Sequence, residues 1–497
     1  MTHTVEDGRR SPDAHAATSV DLAHRVIGLP GVLFQSVTFM APGIAIALGI
    51  AAGAAFAGGA LVLSVLLAML GSLLVANSIG QLARRLSSAG SIYVYPTEGL
   101  HRTVGFLVVW GYSLACSLVG PITSLVFGYL SATVLQTEFG WPFKATWITL
   151  GTTLAILIAV INFFGVRIGT IAGTVLGLFE ILVFLVLSIG MIISAGSANT
   201  GSVFTLHWAH VPGFTGLSGV IAGAVYVMIA FIGFEAAAPL AEETQEPKRL
   251  IPRAVLLSCV VIGLVYIFTT YALSVFVHPD KVVGYGALGG GSPWIAFGRQ
   301  LWGVGWVVVL FAILNSAFAN GNSAAIAVSR TWFAMGRIGL LPRGFARVNA
   351  THNAPIVGLV FQAFVSIAVG IPLGLKYGPL NAFLICATTL TAIMLGVYMV
   401  LNVSCFAFFY RRARAEFNWL LHLAFPLLGT IVFFPVLLAA VGKGHSVFSF
   451  VAPLPYPLSL VGPIIAVWFA LGLGYLGYLL LKAPATLESM ATVFDED

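Results

Sequence analysis

The stretch Phe231-Ile-Gly-Phe-Glu235 lies past the middle of an apolar segment that runs from Gly216 to Leu240. Gly233 weakens a helix, and Glu235 places a carboxylate near the depth of the lipid core. Free backbone groups and charges are tolerated in a membrane only where they face protein or a water-filled cavity. We therefore expect a broken helix here, with a carboxylate close to a binding site.

The composition of the chain excludes a soluble globular protein. Hydrophobic residues make up 59% of the 497 residues and charged residues 8%, against roughly 45–50% and 25% in soluble domains. Apolar segments of about 20 residues, long enough to span a bilayer, recur almost from end to end. We predict one transmembrane domain at 31–481, with cytoplasmic tails at 1–30 and 482–497 and nothing to pack the second tail. The first span is expected to act as the insertion signal.

Twelve membrane spans are predicted from apolar runs between charged or Pro/Gly-rich breaks. Their approximate bounds are 31–55, 59–80, 103–131, 146–164, 168–195, 216–240, 254–277, 303–329, 355–375, 381–409, 420–442 and 458–481. With the N-terminus inside, only five of the 23 basic residues fall in outer segments, namely Lys144, Lys281, Arg299, Lys376 and Lys443. This asymmetry predicts a multi-pass protein of the cell membrane with both termini in the cytoplasm. The net charge of +6 reflects topology and gives no reason to expect nucleic acid as a partner.

A second suspected break lies in span 1, at Met40-Ala-Pro-Gly43. Proline lacks an amide donor and clashes with the preceding turn, so Pro42-Gly43 should interrupt the helix near the midplane. Spans 1 and 6 lie five spans apart, and five is odd, so they cross the membrane in opposite directions. The break positions therefore favour inverted repeats at about 31–195 and 216–409, with two extra helices at about 420–481.

Several motifs resemble those of the amino acid-polyamine-organocation superfamily of amino acid permease-like transporters. They cover about residues 31–400 and comprise Gly233-Phe-Glu235 with Glu243-Thr, Pro247-x-Arg249-x-Ile-Pro-Arg253, Gln81-Leu-Ala-Arg-Arg85, Ser88-Ala-Gly-Ser-Ile-Tyr93-Val-Tyr95, Gly105-Phe-x-x-x-Trp110-Gly111, Asn162-x-x-Gly165-Val-Arg167, and Ser329-Arg330 through Gly339-Leu-Leu-Pro342. The resemblance implies an all-α, LeuT-type five-plus-five inverted repeat, and a secondary transporter that holds its substrate at broken helices 1 and 6.

The resemblance also implies which residues bind substrate. A broken helix offers free N–H groups at one new end and free carbonyls at the other. The family pattern assigns span 1 mainly to a substrate carboxylate and span 6 mainly to its amine. The candidates are Ala41, Gly43, Ile44 and Ala45 in span 1, and Ile229, Phe231, Ile232 and Gly233 in span 6. The competing interpretation is that Pro42 only kinks a packed helix.

Two departures from the family pattern bear on the substrate. Many relatives carry Gly-x-Gly where this chain has Ala41-Pro42-Gly43, which removes one amide donor from the expected carboxylate site. An α-amino acid is therefore a looser match, and a monoamine or polyamine remains open. Relatives usually have Glu where Gln81 stands, so an ion pair often formed there would be lost. Phe231 is the candidate gate over the substrate, against simple packing of an aromatic ring.

Glu180, close to the centre of span 5, and Glu235 are the candidate groups for coupling to protons. In proton-coupled relatives a lysine in the corresponding helix can stand in for a sodium ion, and Glu180 aligns near that position. A lysine mechanism does not transfer, but a buried carboxylate can exchange protons during the cycle. For each glutamate the alternative is a structural carboxylate bonded to neighbouring polar groups.

Span 8 is unusually polar for a membrane helix, because it contains Asn315, Ser316, Asn320, Asn322 and Ser323. Asn315, Asn320 and Asn322 are predicted to form a polar wall of the substrate or ion site. The alternative is hydrogen bonding between helices, which is common in membranes.

These features predict a secondary active transporter of a small amine-bearing solute, with an amino acid as first choice, working by alternating access with proton symport or exchange. Sodium coupling stays open, and no cofactor is expected. The alternatives are a polyamine or monoamine transporter of the same fold, or a polytopic membrane enzyme. An enzyme would need a nucleophile–base set or a metal cluster, and neither is evident. The cysteines form no Cys-x-x-Cys pattern, and His207 and His210 have no further ligands nearby, so no metal site is predicted.

Overall fold

The computed structural model describes residues 25–492, except 87, 89, 165, 285–291, 350, 352–353 and 449–455. Within that part of the chain, eleven helical stretches are long and apolar enough to cross a membrane. The first, Leu29–Ala83, contains two of the predicted spans. They are separated at Gly58, whose φ of 56° is a conformation that favours glycine. The prediction of an all-α membrane protein with twelve spans is confirmed, with one short pair of β-strands outside the spans.

The first and sixth spans, α1 and α6, are interrupted. The other spans are continuous in the described residues, and the eleventh begins with a π-helical turn, Leu420–Ala424. α1 consists of Leu29–Phe39, Pro42–Ile44, the wider π-helical turn Ala45–Gly49, and Ile50–Ala57, and α6 consists of Leu217–Val227 and the narrow 3-10 segments Met228–Phe231 and Phe234–Glu243. The others are α2 Leu61–Ala83, α3 Arg102–Phe139, α4 Phe143–Phe163, α5 Val166–Ala195, α7 Pro247–Val277, α8 Trp306–Arg337, α9 Ile356–Tyr377, α10 Pro379–Arg411, α11 Leu420–Ala440 and α12 Val461–Lys482.

Short elements connect the spans or follow the last of them. They are the helices Ser91–Gly99, Pro293–Trp302, Gly444–Val447 and Pro484–Thr492, and the 3-10 turns Gly58–Ala60, Gly196–Ala198, Gly201–Phe204, Leu206–Trp208, Gly303–Gly305, Arg343–Ala346, Arg414–Glu416 and Leu458–Leu460. Two strands between α5 and α6, β1 His210–Val211 and β2 Phe214–Thr215, pair antiparallel.

Hydrogen bonds hold the first half of α1 against α6 and α8. The hydroxyl of Ser36 donates to the Phe234 carbonyl at 2.7 Å and accepts from the Ala237 amide at 3.1 Å. The side chain of Gln35 donates to the Ser323 carbonyl at 2.9 Å. Because polar groups inside a membrane must find partners within the protein, these bonds place the two interrupted helices side by side.

The other halves of α1 and α6 approach closely through two glycines. A Cβ atom on Gly53 would lie 2.9 Å from the Gly223 carbonyl oxygen, and a Cβ on Gly223 would lie 3.1 Å from the Gly53 carbonyl oxygen. Small residues at such positions let two membrane helices pack backbone to backbone. α1 and α6 are therefore neighbours on both sides of their breaks.

The C-terminal segment is packed against the protein, contrary to the sequence expectation. The helix Pro484–Thr492 buries Leu487 and Met490, and Glu488 pairs with Arg102 at 3.0 Å. The expectation overlooked that two apolar residues three apart lie on one face of a helix. Residues 1–24 of the predicted N-terminal tail, residues 493–497 of the C-terminal tail and the motif residue Gly165 lie outside the described residues.

Candidate functional site

The break in α1 lies at Met40–Ala41. Ala41 has φ 49° and ψ 63°, and the helix restarts with Pro42 at its first position. Proline disfavours the α conformation in the residue that precedes it, but it suits the first turn of a helix, where its missing N–H is not needed. The break predicted at Pro42–Gly43 is therefore displaced toward the N-terminus, and Pro42 begins the second half of α1.

The break in α6 lies at Ile232–Gly233. Ile232 is extended, and Gly233 has φ 118°, a conformation that other residues rarely adopt. A Cβ on Gly233 would also lie 2.9 Å from the carbonyl carbon of Phe39 in α1. Glycine is thus required here both for the turn and for the contact with the other break.

Tyr266 of α7 joins the two breaks. Its hydroxyl lies 3.2 Å from the Met40 carbonyl oxygen and 3.0 Å from the Ala230 carbonyl oxygen. These carbonyls belong to the last turns before each break, where no helical N–H is available to them. One hydroxyl hydrogen partly satisfies both acceptors, so lone pairs remain for a further donor.

A cavity lies between the two breaks and is enclosed by α1, α3, α6, α8 and α10. Its lining residues are Phe39, Met40, Ala41, Ile44, Ala45, Gly49, Val119, Ile122, Ile229, Ala230, Ile232, Asn320, Phe383 and Leu390. Asn320 is the single polar side chain in this set, and the set contains no charged residue. The site is therefore an apolar chamber with backbone groups at the helix ends and one amide side chain.

Some of the predicted substrate residues line the cavity and some do not. Those that do are Ala41, Ile44, Ala45, Ile229 and Ile232. Gly43 instead faces α8 and α5, since a Cβ there would lie 2.9 Å from Cβ of Ser316. Gly233 packs on Phe39. Phe231, the predicted gate, is buried edge-on against Tyr266, with ring centroids 5.3 Å apart, and is absent from the cavity lining.

A second cavity continues the first toward the face that carries Gly58. The two cavities share Gly49, Ile229 and Phe383. Ile229 and Phe383 are the large side chains of this shared set, so they form the boundary between the chamber and the second cavity. Such an apolar boundary cannot be recognised in the sequence, because the chain contains 36 phenylalanines and most of them look alike.

Glu180 is fully buried beside the second half of α1. A Cβ on Gly43 would lie 3.2 Å from Oε2 of Glu180. The carboxylate lies beside the Gly43 amide and the Ser316 hydroxyl without a hydrogen bond of normal geometry to either. The Ser316 hydroxyl accepts from the Ile44 amide at 3.2 Å. The predicted coupling residue thus faces the new N-terminus of α1 from the side opposite the cavity.

Glu235 is also fully buried, at the break in α6. Its Oε2 atom accepts from the Gly233 amide at 3.1 Å and from the Tyr398 hydroxyl of α10 at 2.6 Å. Its Oε1 atom has no hydrogen-bond partner among the described residues. The carboxylate thus connects the break in α6 to α10, and it retains one free acceptor.

An ion pair closes the face at which α1 begins, which we call the N-terminal face. Arg330 of α8 donates to both carboxylate oxygens of Glu243 at 2.9 and 3.4 Å, and both side chains are buried. Arg337 pairs with Glu242 at 2.8 Å nearby. Val26 and Ile27 donate backbone hydrogen bonds to the Glu243 carbonyl. The chamber is therefore separated from this face by a two-bond ion pair and by a backbone contact between α6 and the residues before α1.

The predicted polar wall divides among three environments. Asn315 donates to the Leu176 carbonyl of α5 at 2.8 Å, and Asn322 accepts from Asn162 of α4 at 2.7 Å. Asn320 lines the cavity. Only Asn320 lies at the chamber, while Asn315 and Asn322 bond neighbouring helices.

Sequence reasoning missed several residues of the site. The apolar walls Val119, Ile122, Phe383 and Leu390 look like any other membrane residues in the sequence. Tyr266 and Tyr398 were also missed, because a single tyrosine in an apolar span forms no local pattern. The one available signal was general: the hydroxyl of a tyrosine buried inside a span usually finds a hydrogen-bond partner, and the broken helices offer such partners.

Comparison with known proteins gives matches over most of the chain. The family model described as amino acid permease matches residues 33–454. The low-affinity putrescine importer PlaP of Escherichia coli (strain K12) is 28% identical over 60% of this chain, and the match spans 64% of the importer's length. The branched-chain amino acid permease BcaP of Lactococcus lactis subsp. cremoris is 29% identical over 69% of this chain and 75% of its own.

The same fold occurs in a solved structure of a manganese transporter from Eremococcus coleocola. That structure superposes with a TM-score of 0.54 at 14% sequence identity, and the match covers 93% of this chain and 94% of the other. At this identity the likeness concerns the fold alone. It confirms the LeuT-type arrangement predicted from the sequence.

Proposed function

The chain belongs to the amino acid permease family, which consists of transporters and not enzymes, and from that membership we propose that it carries an amino acid across the cell membrane by alternating access. The observation that carries this proposal is the chamber between the breaks of α1 and α6. A substrate in that position contacts free helix ends of both polarities. Binding can thus be coupled to movement of the two interrupted helices.

The ends of the broken helices suit a zwitterion. The second half of α1 carries partial positive charge at its N-terminal end, where the Ile44 amide already donates to Ser316. The carbonyls of Met40 and Ala230 present partial negative charge, and Tyr266 only partly satisfies them. A carboxylate is attracted to the first end and an ammonium to the second. An α-amino acid carries both groups on adjacent atoms.

The lining favours an amino acid over a polyamine. A polyamine has cationic groups at both ends, and each needs an anionic or strongly polar partner when it leaves water. None of the fourteen lining residues is Asp or Glu. PlaP imports putrescine by its name, but the chamber of this chain offers no carboxylate to a second amine.

A monoamine is the second candidate. The Ile44 amide already donates to Ser316, and the neighbouring position is proline, which has no N–H. The α1 end therefore has fewer free donors for a carboxylate than a glycine-rich break provides. A substrate without a carboxylate loses nothing from this change.

We assign proton coupling to Glu180, with Glu235 as a second titrating group. Glu180 is buried beside the moving break of α1 and has no basic partner within hydrogen-bonding distance in the described residues. A buried carboxylate is stable only when it is protonated or when a cation lies beside it. Binding and release of that proton would then accompany the opening and closing of α1.

The N-terminal face is assigned to the cytoplasm, following the excess of positive charge in the segments on that side. The cavity arrangement then corresponds to a state closed toward the cytoplasm by Arg330–Glu243 and bounded toward the outside by Ile229 and Phe383. Alternating access requires that the ion pair breaks when the chamber opens inward.

Uptake into proteoliposomes tests this function. Radiolabelled leucine, 3-methylbutylamine and putrescine are offered with and without an acidic external buffer. We expect accumulation of leucine, or of the monoamine, that increases with an inwardly directed proton gradient. Liposomes that accumulate neither leucine nor 3-methylbutylamine above the protein-free control would contradict the proposal.

A further inference from the structure

Asn320 is the polar side chain of the chamber, and its orientation is determined by its neighbours. It is 8% exposed, and its Nδ2 atom donates to the Phe39 carbonyl at the end of the first half of α1. Turning the amide over would place two oxygen acceptors against each other, which is unfavourable. The Oδ1 atom must therefore be the part of the side chain that is left for another partner.

That Oδ1 atom has no hydrogen-bond partner among the described residues. A buried acceptor without a donor is costly, and such atoms in native proteins usually receive a donor from water or a ligand. Asn320 lines the chamber, so a ligand held in the chamber can supply the missing donor. An acceptor selects for a donor, and an ammonium group has three.

The remaining walls limit the rest of the ligand. Ile44, Ile122, Leu390 and Phe383 present only hydrocarbon to the chamber. A second charged group placed against them would lose its hydration without gaining a partner. An aliphatic body, by contrast, gains from leaving water.

Resting on the proposed transport function, we propose that Oδ1 of Asn320 accepts a hydrogen bond from the substrate's ammonium group, and that the chamber takes substrates with one ammonium head and an apolar body. Asn320 is thereby a specificity-determining residue. The same amide group donates to the carbonyl of Phe39, the last helical residue before the α1 break, and so connects the bound ammonium to α1. Recognition of the head group and the position of α1 are connected through one side chain.

Competition binding on the purified full-length protein tests the substrate class. The probes are leucine, 3-methylbutylamine and putrescine. Leucine or 3-methylbutylamine should bind at least about 10-fold more tightly than putrescine, since a hydrogen-bonded charge contributes about this factor and the second charge of putrescine has no partner. Whether leucine or the monoamine is preferred decides between a zwitterion and a simple amine. Putrescine binding as tightly as both would overturn the inference and leave the transport function standing.

Two variants test the residue. Asn320→Ala removes the acceptor and should weaken the preferred ligand by about 10- to 100-fold. Asn320→Asp keeps an acceptor at the same place, and in its protonated form its second oxygen still donates to the Phe39 carbonyl, so this variant should bind the ligand about as tightly as the unchanged protein. If Asn320→Ala does not fold, Asn320→Asp decides alone, because loss of binding by that folded variant contradicts the role of Oδ1.

A matched control is available in α9. The side chain of Gln362 is buried and donates from Nε2 to the Ser117 carbonyl at 3.1 Å, and its Oε1 has no hydrogen-bond partner in the part of the chain that the structure describes. Gln362 does not line the chamber. Gln362→Ala and Gln362→Glu should therefore leave the affinity unchanged. An Asn320→Ala protein that is folded and binds within about 3-fold of the unchanged protein would overturn the proposal.

Discussion

The Tyr398 hydroxyl donates a hydrogen bond of 2.6 Å to Oε2 of Glu235, and both side chains are fully buried. The bond connects α10 to the break in α6, directly beside the Gly233 turn. Removing one partner of a buried hydrogen bond costs about 1–3 kcal/mol, because the other partner is left unsatisfied. This contact therefore has a large share in holding α6 against α10.

Tyr398→Phe removes the donor of this bond and Glu235→Gln replaces its carboxyl acceptor with an amide, so each should lower the melting temperature of the purified protein. Because both substitutions act on the same interaction, the double variant should lose clearly less than the sum of the two single losses. Thermal unfolding of the four proteins measures this directly. Additive losses would mean that the two side chains stabilise the protein independently.

Arg330→Ala should be among the most destabilising single substitutions on the N-terminal face. It leaves Glu243 as a buried charge without its partner, at a cost of about 3–5 kcal/mol. Arg249→Ala is the matched control, because Arg249 and Glu246 form an exposed pair that is worth less than about 1 kcal/mol. Similar melting temperatures for the two variants would contradict a buried, closing role for Arg330.

Gly233→Ala should abolish transport and lower the yield of folded protein. Alanine at φ 118° is strained by about 1–3 kcal/mol, and its Cβ collides with the backbone of Phe39. Gly474→Ala in α12 serves as control, since a Cβ there meets open space. Size-exclusion chromatography and uptake should separate the two variants. Normal uptake by Gly233→Ala would show that the α6 break tolerates a side chain.

Glu180→Gln should separate transport from its driving force. A glutamine cannot carry a proton, so accumulation under a pH gradient should fall to the level seen without one, while exchange of substrate across the membrane continues. Glu138→Gln, at a partly exposed pair with Arg299, should keep the response to the gradient. Preserved pH-driven accumulation in Glu180→Gln would remove Glu180 from the coupling mechanism.

The two breaks could be predicted from the sequence because each rests on a local backbone property. Gly233 adopts a conformation that favours glycine, and Pro42 cannot continue a helix from the residue before it. The displacement of the first break to Met40–Ala41 follows from the effect of proline on its predecessor. Local chemistry therefore located both interruptions to within two residues.

The assignment of side chains to the chamber was less predictable. Asn315, Asn320 and Asn322 look equivalent in the sequence, but only Asn320 lines the chamber, because the rotation of α8 is set by contacts with α1, α4 and α5. In the same way, the direction of Phe231 in α6 is set by its contact with Tyr266 of α7. The direction of a side chain inside a bundle depends on distant helices, and a single sequence contains no record of those contacts.

The most direct measurement of the central claim is counterflow of radiolabelled leucine and 3-methylbutylamine into liposomes preloaded with the same unlabelled compound, comparing the unchanged protein with Gly43→Val. A Cβ at residue 43 meets Cβ of Ser316 at 2.9 Å and the Ala312 carbonyl oxygen at 3.2 Å, so valine should displace the second half of α1. We predict counterflow by the unchanged protein and at least a 10-fold loss in Gly43→Val, a difference of about 1.4 kcal/mol or more. Equal counterflow by a folded Gly43→Val protein would contradict a substrate site at the α1 break.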